Sequence, residues 1–281
     1  MKRILLPTDF SDNADNAISY AVQLYKDVKC KFFLIHSYTP LVTNTGSMLD
    51  TYSPPAIQNI EKETAEQKLK ETENFFKKKF KNENHSFISM ASFNLLIPHM
   101  KEVIKEMKID LVIMGTKGAT GAKEIFIGTN TMKAIKKLNF PIIAVPAEFK
   151  YIKPTQVLLP TDYRFQKSNK YFSFIRELCE ANNSRLHILY VYNSVPLEKK
   201  QQKMEAFLDV FFIDTLRLFH VAEKQDLVDA IETYEIKYKI NLLIMLYNKH
   251  NFLENLLFKP IVNEMVYRTN VPFLVIPSKK Q

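Results

Sequence analysis

Leu5-Leu6-Pro7-Thr8-Asp9 recurs 153 residues later as Leu158-Leu159-Pro160-Thr161-Asp162. A short apolar run closed by proline and a polar pair reads as a buried strand that ends at a turn. Two further runs repeat. Asp110-Leu111-Val112-Ile113-Met114 is matched by Asn241-Leu242-Leu243-Ile244-Met245, and Pro141-Ile142-Ile143-Ala144-Val145-Pro146 by Pro272-Phe273-Leu274-Val275-Ile276-Pro277, both at an offset of 131. The chain is therefore one unit written twice. An offset that shrinks from 153 to 131 leaves 22 extra residues in the middle of the first copy. Their expected place is 39–63, where Thr43-Asn44-Thr45-Gly46-Ser47 and Ser53-Pro54-Pro55 are loop chemistry. The copies meet near 147–154, which divides the chain into domains 1–150 and 151–281.

Within each copy, strands alternate with helices. In the first, 3–7, 31–37, 86–92, 110–114 and 141–145 read as buried strands. Ala14, Ala17, Ile18, Ala21, Val22 and Tyr25 keep the spacing of an amphipathic helix, with Ser11 as its N-cap. Ala65, Leu69, Phe76 and Phe80 mark a second helix. Met100, Val103, Ile104 and Met107 mark a third, from near Pro98, and 130–138 makes a fourth. In the second copy, Phe165, Phe172, Ile175 and Cys179 give one stripe. Phe207, Leu208, Phe211 and Phe212 give the next, and Leu227, Ala230, Ile231 and Tyr234 the third. The expected fold class is α/β: two tandem doubly wound α/β/α domains, each with a five-stranded parallel sheet.

Composition narrows the function classes. The 281 residues are 46% hydrophobic and 25% charged, ordinary for a globular chain. The two cysteines, Cys30 and Cys179, make neither a disulfide framework nor a zinc site. No run approaches the length of a membrane span. Met1-Lys2-Arg3-Ile4-Leu5-Leu6-Pro7 looks like a signal-peptide start, but Asp9 ends its apolar run too soon. The expectation is a cytoplasmic chain without a membrane partner. The net charge of +9 raises nucleic acid as a partner. Residues 1–150 hold 21 Lys and Arg against 16 Asp and Glu, and residues 151–281 hold 18 against 14, so the excess is spread evenly. Lys77-Lys78-Lys79 reads as a solvated helix face, and no nucleic-acid partner is expected.

Four of the five glycines fall in one window, Gly115, Gly118, Gly121 and Gly128, and none follows. The window joins the fourth strand to the fourth helix, at the carboxyl edge of the sheet, where such sheets bind ligands. Glycine serves where a backbone turns tightly or a ligand comes close. Gly128-Thr129-Asn130 opens a helix, whose free N–H groups make an anion site. The spacing is neither a Walker loop nor a dinucleotide fingerprint.

Met114-Gly115-Thr116-Lys117-Gly118 with Gly128-Thr129, and Pro7-Thr8-Asp9 after the first strand, resemble the universal stress protein family. Its nucleotide-binding members carry G-x2-G-x9-G-[ST] after a strand ending in methionine. The resemblance covers both copies. It implies a sheet of the adenine nucleotide alpha hydrolase-like kind and an adenine nucleotide, usually ATP, with or without Mg, on the first copy. By that resemblance, Pro7 and Asp9 meet the ribose or the adenine edge, and the main chain near Ser37 meets the base. Met114, Gly115 and Gly118 line the floor, and Gly128, Thr129 and Asn130 hold phosphates. Ser37 departs from the family, which has an apolar residue there. Helix capping is a rival role for Asp9.

In the second copy Gly115 becomes Leu246, Gly118 becomes Lys249, Gly121 becomes Phe252, Gly128 becomes Lys259 and Thr129 becomes Pro260, which has no N–H. That copy is expected to bind no nucleotide. The resemblance gives it another task, pairing with the first copy through the last strands, and two chains could assemble further as a homodimer. The six histidines show no metal-ligand spacing, and no catalytic set stands out. Three readings stay open: a nucleotide-binding stress or signalling protein, an interaction module that keeps only the fold, and a slow ATPase or self-phosphorylating protein.

Overall fold

The computed structural model describes residues 1–39, 55–116, 128–168, 170–192, 196–223, 226–247 and 270–278. In chain order the first half holds β1 (Lys2–Pro7), α1 (Asp12–Leu24), β2 (Cys30–Tyr38), α2 (Pro55–Lys79) and β3 (His85–Phe93). It continues with α3 (Leu96–Glu106), β4 (Leu111–Gly115), α4 (Thr129–Leu138) and β5 (Ile142–Val145). The second half holds β6 (Gln156–Pro160), α5 (Phe172–Asn182), β7 (Arg185–Tyr192), α6 (Lys199–Phe211), β8 (Leu216–Glu223), α7 (Leu227–Tyr238), β9 (Leu242–Tyr247) and β10 (Phe273–Pro277). Among the described residues no helix is long and apolar enough to cross a membrane.

The strands form one sheet in the order β3-β2-β1-β4-β5-β10-β9-β6-β7-β8. Every neighbouring pair is parallel except β5 with β10, which is antiparallel. The order of the second half mirrors that of the first. Ile143 lies opposite Leu274, and these two are equivalent at the repeat offset of 131. A local twofold axis, perpendicular to the sheet, therefore runs between them.

Both faces of the sheet are covered. Ala17 and Ile18 of α1, Leu69 and Phe76 of α2, Ile175 of α5 and Met204 and Leu208 of α6 share one buried cluster with Ile4, Leu6 and Leu159. Met100 and Val103 of α3, Ala134 of α4 and Ala230 and Ile231 of α7 share the other with Leu5, Val112 and Leu243. This is the doubly wound α/β/α arrangement, and it explains why the central strands are apolar on both sides. Leu111, Val112 and Ile113 of β4 have no exposed surface.

Two elements depart from the sequence expectation. The extra residues of the first copy were expected as a loop, yet α2 already begins at Pro55 and runs for 25 residues, against 13 in α6. Pro55 suits the first turn of a helix, where no N–H is needed. The stretch 40–54 lies outside the described residues. The second departure is α5. The repeat offset would start it at 165, but it starts at Phe172, and Phe165 packs from the preceding non-helical segment.

Gly115 explains the difference. An added Cβ there would lie 2.1 Å from the Asn13 side-chain nitrogen and 2.9 Å from the Asn13 carbonyl oxygen in the first turn of α1. The helix can start so early because β4 ends in a residue without a side chain. Its start is fixed by Ser11, whose Oγ accepts from the Ala14 N–H, as expected of an N-cap. The second half has Leu246 at this position, buried, and among the described residues no helical turn lies where α1 begins in the first.

A polar pair also replaces an apolar one. Leu5 pairs with Phe33 as Leu158 pairs with His187, and Ile35 with Met90 as Leu189 with His220. So His187 and His220 stand where the first half has Phe33 and Met90. His187 Nε2 lies 2.9 Å from Gln156 Oε1 and its Nδ1 2.9 Å from His220 Nε2. Since Gln156 Oε1 only accepts, His187 Nε2 donates to it, and a neutral His187 accepts from His220 through Nδ1. The rings of Tyr234 and Tyr238 on α7 pack over the pair. Burial, then His220 and Arg185, push His187 down to about 4, and burial and Lys237 lower His220.

Two outcomes follow. Gly115→Ala should lower stability by about 1–3 kcal/mol through overpacking, seen as a lower urea midpoint with an unchanged slope. An unchanged midpoint would mean that α1 gives way without cost. The histidines predict an acid response. Below the ordinary histidine range the unfolded chain takes up protons that folded His187 refuses, so stability falls as pH drops from about 6.5 toward 4. The double variant His187→Phe/His220→Met, which copies the first half, should flatten that part of the thermal-midpoint curve against pH. A slope equal to that of the parent chain would assign the acid response elsewhere.

Candidate functional site

The order of strands reverses between β1 and β4, so the connections leaving their carboxyl ends run to opposite faces and open a crevice. Pro7, Thr8 and Asp9 leave β1 there, and Gly115 and Thr116 end β4. Thr8 is buried and its N–H bonds the Ile35 carbonyl at 2.9 Å. The chain then turns sharply, with Phe10 in the left-handed region at φ 63°. Such a backbone costs a non-glycine residue about 1–2 kcal/mol, and local hydrogen bonds offset it. The Phe10 N–H donates to Thr8 Oγ1 at 3.0 Å, and the Ser11 N–H to Asp9 Oδ1 at 3.1 Å.

The second half builds the same turn. Tyr163 has φ 57°, its N–H donates to Thr161 Oγ1 at 2.9 Å, and the Arg164 N–H donates to Asp162 Oδ1 at 2.9 Å. Thr-Asp after the first strand therefore has a structural duty in both halves. Asp9 remains exposed at the crevice beyond that duty.

The end of β2 brings His36 and Ser37. His36 Nδ1 lies 2.8 Å from the Thr8 carbonyl, and its ring packs on Phe10 at 4.5 Å between centroids. It is a packed histidine. Ser37 was expected to contribute main chain only. Its Oγ lies 2.9 Å from Nδ1 of His99, a buried residue in the first turns of α3. Burial holds His99 below the ordinary imidazole range, while Glu102 opposes and His36 adds to the effect. The polar residue that departs from the family pattern thus has a partner 62 positions away, which only the packing of α3 could reveal.

The connection from β4 to α4 carries the glycines. Gly118 and Gly121 lie outside the described residues. Met114 is buried, with its side chain in the core beneath the crevice. The Thr131 hydroxyl donates to the Gly115 carbonyl at 2.7 Å, and the Gly128 N–H donates to the Thr116 carbonyl. These bonds fix the start of α4 against the end of β4. Gly128 is the N-cap of α4, so no side-chain oxygen caps the helix, and its first turn holds no acidic residue. Thr129 and Asn130 are exposed there. Thr116 Oγ1 is buried and has no hydrogen-bond partner among the described residues. A helix start with free N–H groups and no competing carboxylate favours an anion.

In the second half Leu246 and Tyr247 are buried at the positions of Gly115 and Thr116. Lys249, Phe252, Lys259 and Pro260 lie outside the described residues. Among those described, no three His, Cys, Asp or Glu side chains gather as a metal site. The histidine pair His187 and His220 escaped the sequence reading because its members come from neighbouring strands, not from one helix face.

The comparisons with known proteins agree with this picture. The model of the universal stress protein family matches residues 1–146. Universal stress protein MJ0577 of Methanocaldococcus jannaschii is 32% identical over 155 residues, which cover 51% of this chain and 94% of that protein. A second protein of that organism, universal stress protein MJ0531, is 25% identical over 144 residues, 51% of this chain and 81% of its own length. The crystal structure of a universal stress protein from Archaeoglobus fulgidus is similar over 98% of this chain and 96% of its own, with a TM-score of 0.69 at 16% identity. That likeness concerns the fold, and it extends across both halves. Since the family model takes in more than half of the residues, this chain belongs to the universal stress protein family.

Proposed function

We propose that this universal stress protein binds one adenine nucleotide, ATP foremost, in a first domain spanning 1–150, and acts in stress response or signalling through occupancy of that site. The observation that carries this reading is the start of α4. It opens beside the switch point of the sheet with a glycine cap, no acidic residue in its first turn and the buried Thr116 hydroxyl beside it. Gly128, Thr129 and Asn130 bind the phosphates, with Gly118 in the same connection and Mg as counter-ion when the ligand is ATP. Pro7 and Asp9 border the ribose and the adenine edge. The main chain at Ser37 faces the base, leaving the Ser37 hydroxyl on His99. Met114 and Gly115 form the floor.

The second domain, 151–281, binds no nucleotide and serves as the pairing partner of the first through the last strands. The antiparallel register of β5 with β10 supports that part of the reading. No residue is assigned a catalytic role, and the chain works in the cytoplasm. Two such chains could assemble further as a homodimer.

Calorimetry with Mg-ATP should give one nucleotide per chain, and denaturing the purified protein should release AMP, ADP or ATP. Gly128→Asp sets a carboxylate where the phosphates bind and should abolish both signals while the circular dichroism stays that of the parent. Flat heats with no released nucleotide would remove the proposal, and two nucleotides per chain would refute the single site. Steady phosphate release lost in Gly128→Asp would turn the reading toward an ATPase.

A further inference from the structure

Of the seven large apolar side chains exposed among the described residues of the second half, five gather at one edge, the other two being Ile152 and Ile236. Val210 at the end of α6, Ile213 after it, and Leu216, Leu218 and Val221 of β8 are 38–68% exposed. β8 is the last strand of the sheet at that end. Proteins usually blunt such edges with lysine, proline or an inward-pointing charge. The opposite edge, β3, exposes Ile88 and Phe93 and has no Lys, Arg, Asp or Glu of its own to set a register; a buried carboxylate of α2 reaches it instead. Glu73, only 5% exposed, accepts from Ser89 of β3 at 2.6 Å and from Lys77 at 2.6 Å. β8 has no lysine, proline or glycine, and its charges stand near its two ends, Arg217 and Glu223.

We infer that β8 is the surface on which a second copy of this chain adds, its own β8 running antiparallel, about a twofold axis through His220. A twofold perpendicular to the sheet keeps equivalent helices on the same face and pairs residues of equal parity, the geometry that β5 and β10 already use. Isologous contacts of this kind are self-complementary. Centring on His220 sets Arg217 opposite the partner's Glu223, Phe219 opposite the partner's Val221 and Leu218 opposite the partner's Ala222, each pair occurring twice. Centring on Leu218 or Phe219 instead sets Arg217 against Phe219 or Val221 and leaves the charges unmatched. Opposite charges and aromatic–β-branched pairs are the favourable cross-strand contacts. Arg217 is already held by Asp209 at 2.7 Å and by the Ile213 carbonyl at 3.2 Å. Little side-chain freedom is left to lose when it meets a second carboxylate. The surface gives a homodimer a place and does not depend on nucleotide binding.

Sedimentation velocity of the full chain at micromolar concentrations tests this. The parent chain and Ile88→Lys, altered at the opposite edge, should sediment as dimers. Val221→Lys should sediment as a folded monomer, its circular dichroism unchanged. A second measurement fixes the register. Under mild oxidation His220→Cys, which meets itself at the axis, should form a disulfide-linked dimer, and Leu218→Cys should not; the native Cys30 and Cys179 are buried and do not compete. A monomeric parent chain, a dimer that survives Val221→Lys, or a dimer lost with Ile88→Lys would each overturn the inference.

Discussion

The carbonyl of Asn13 passes so close to the end of β4 that position 115 has no room for a side chain. Much of the first half is arranged around that approach. It lets α1 begin three residues after Asp9, and the turn through Phe10 is the means of getting there. It brings α1 and α4 to the same end of the sheet, on its opposite faces, with the crevice between them. The glycine is thus a packing residue before it is a ligand residue. Its replacement by Leu246 in the second half goes with a helix that starts late, at Phe172. One residue without a Cβ separates two ways of leaving the same strand.

Much of this was legible in the sequence because it rests on period and local chemistry. The strands fall within a residue or so of their apolar runs, and Ser11 caps α1 as its type suggests. The repeat fixed which positions to compare. What escaped was long-range. The Phe165 stripe continued a helical period that the crowded end of β9 does not allow. Pro54-Pro55 reads as a breaker, yet a proline at the first turn is compatible with the start of α2. The bonds of Ser37 to His99, and of His187 to His220 and Gln156, join residues 31–62 positions apart. No window of sequence holds both partners. At the candidate site, the types of residue were visible and their double duties were not, as with Asp9, whose carboxylate also closes a turn.

The two halves have diverged unevenly. The second keeps the Thr-Asp turn down to its left-handed aromatic residue, keeps the sheet order, and has lost every glycine. It has also taken up a polar pair, a buried His187 bonded to a half-buried His220, where the first half keeps phenylalanine and methionine. A buried imidazole such as His187 is tolerated only while neutral, so this part of the second half depends on its proton balance in a way that Phe33 and Met90 of the first do not.

The meeting of Ile143 with Leu274 has a further consequence. A register that sets a residue against its own equivalent is one that two identical chains would also adopt. Joining the copies through the short stretch between Val145 and Gln156 turns a bimolecular encounter into an intramolecular one, at an effective concentration in the millimolar range for short linkers. A tethered partner cannot be diluted away. Selection on its loops is then relaxed, and one copy can give up its glycines while the join at the centre of the sheet persists.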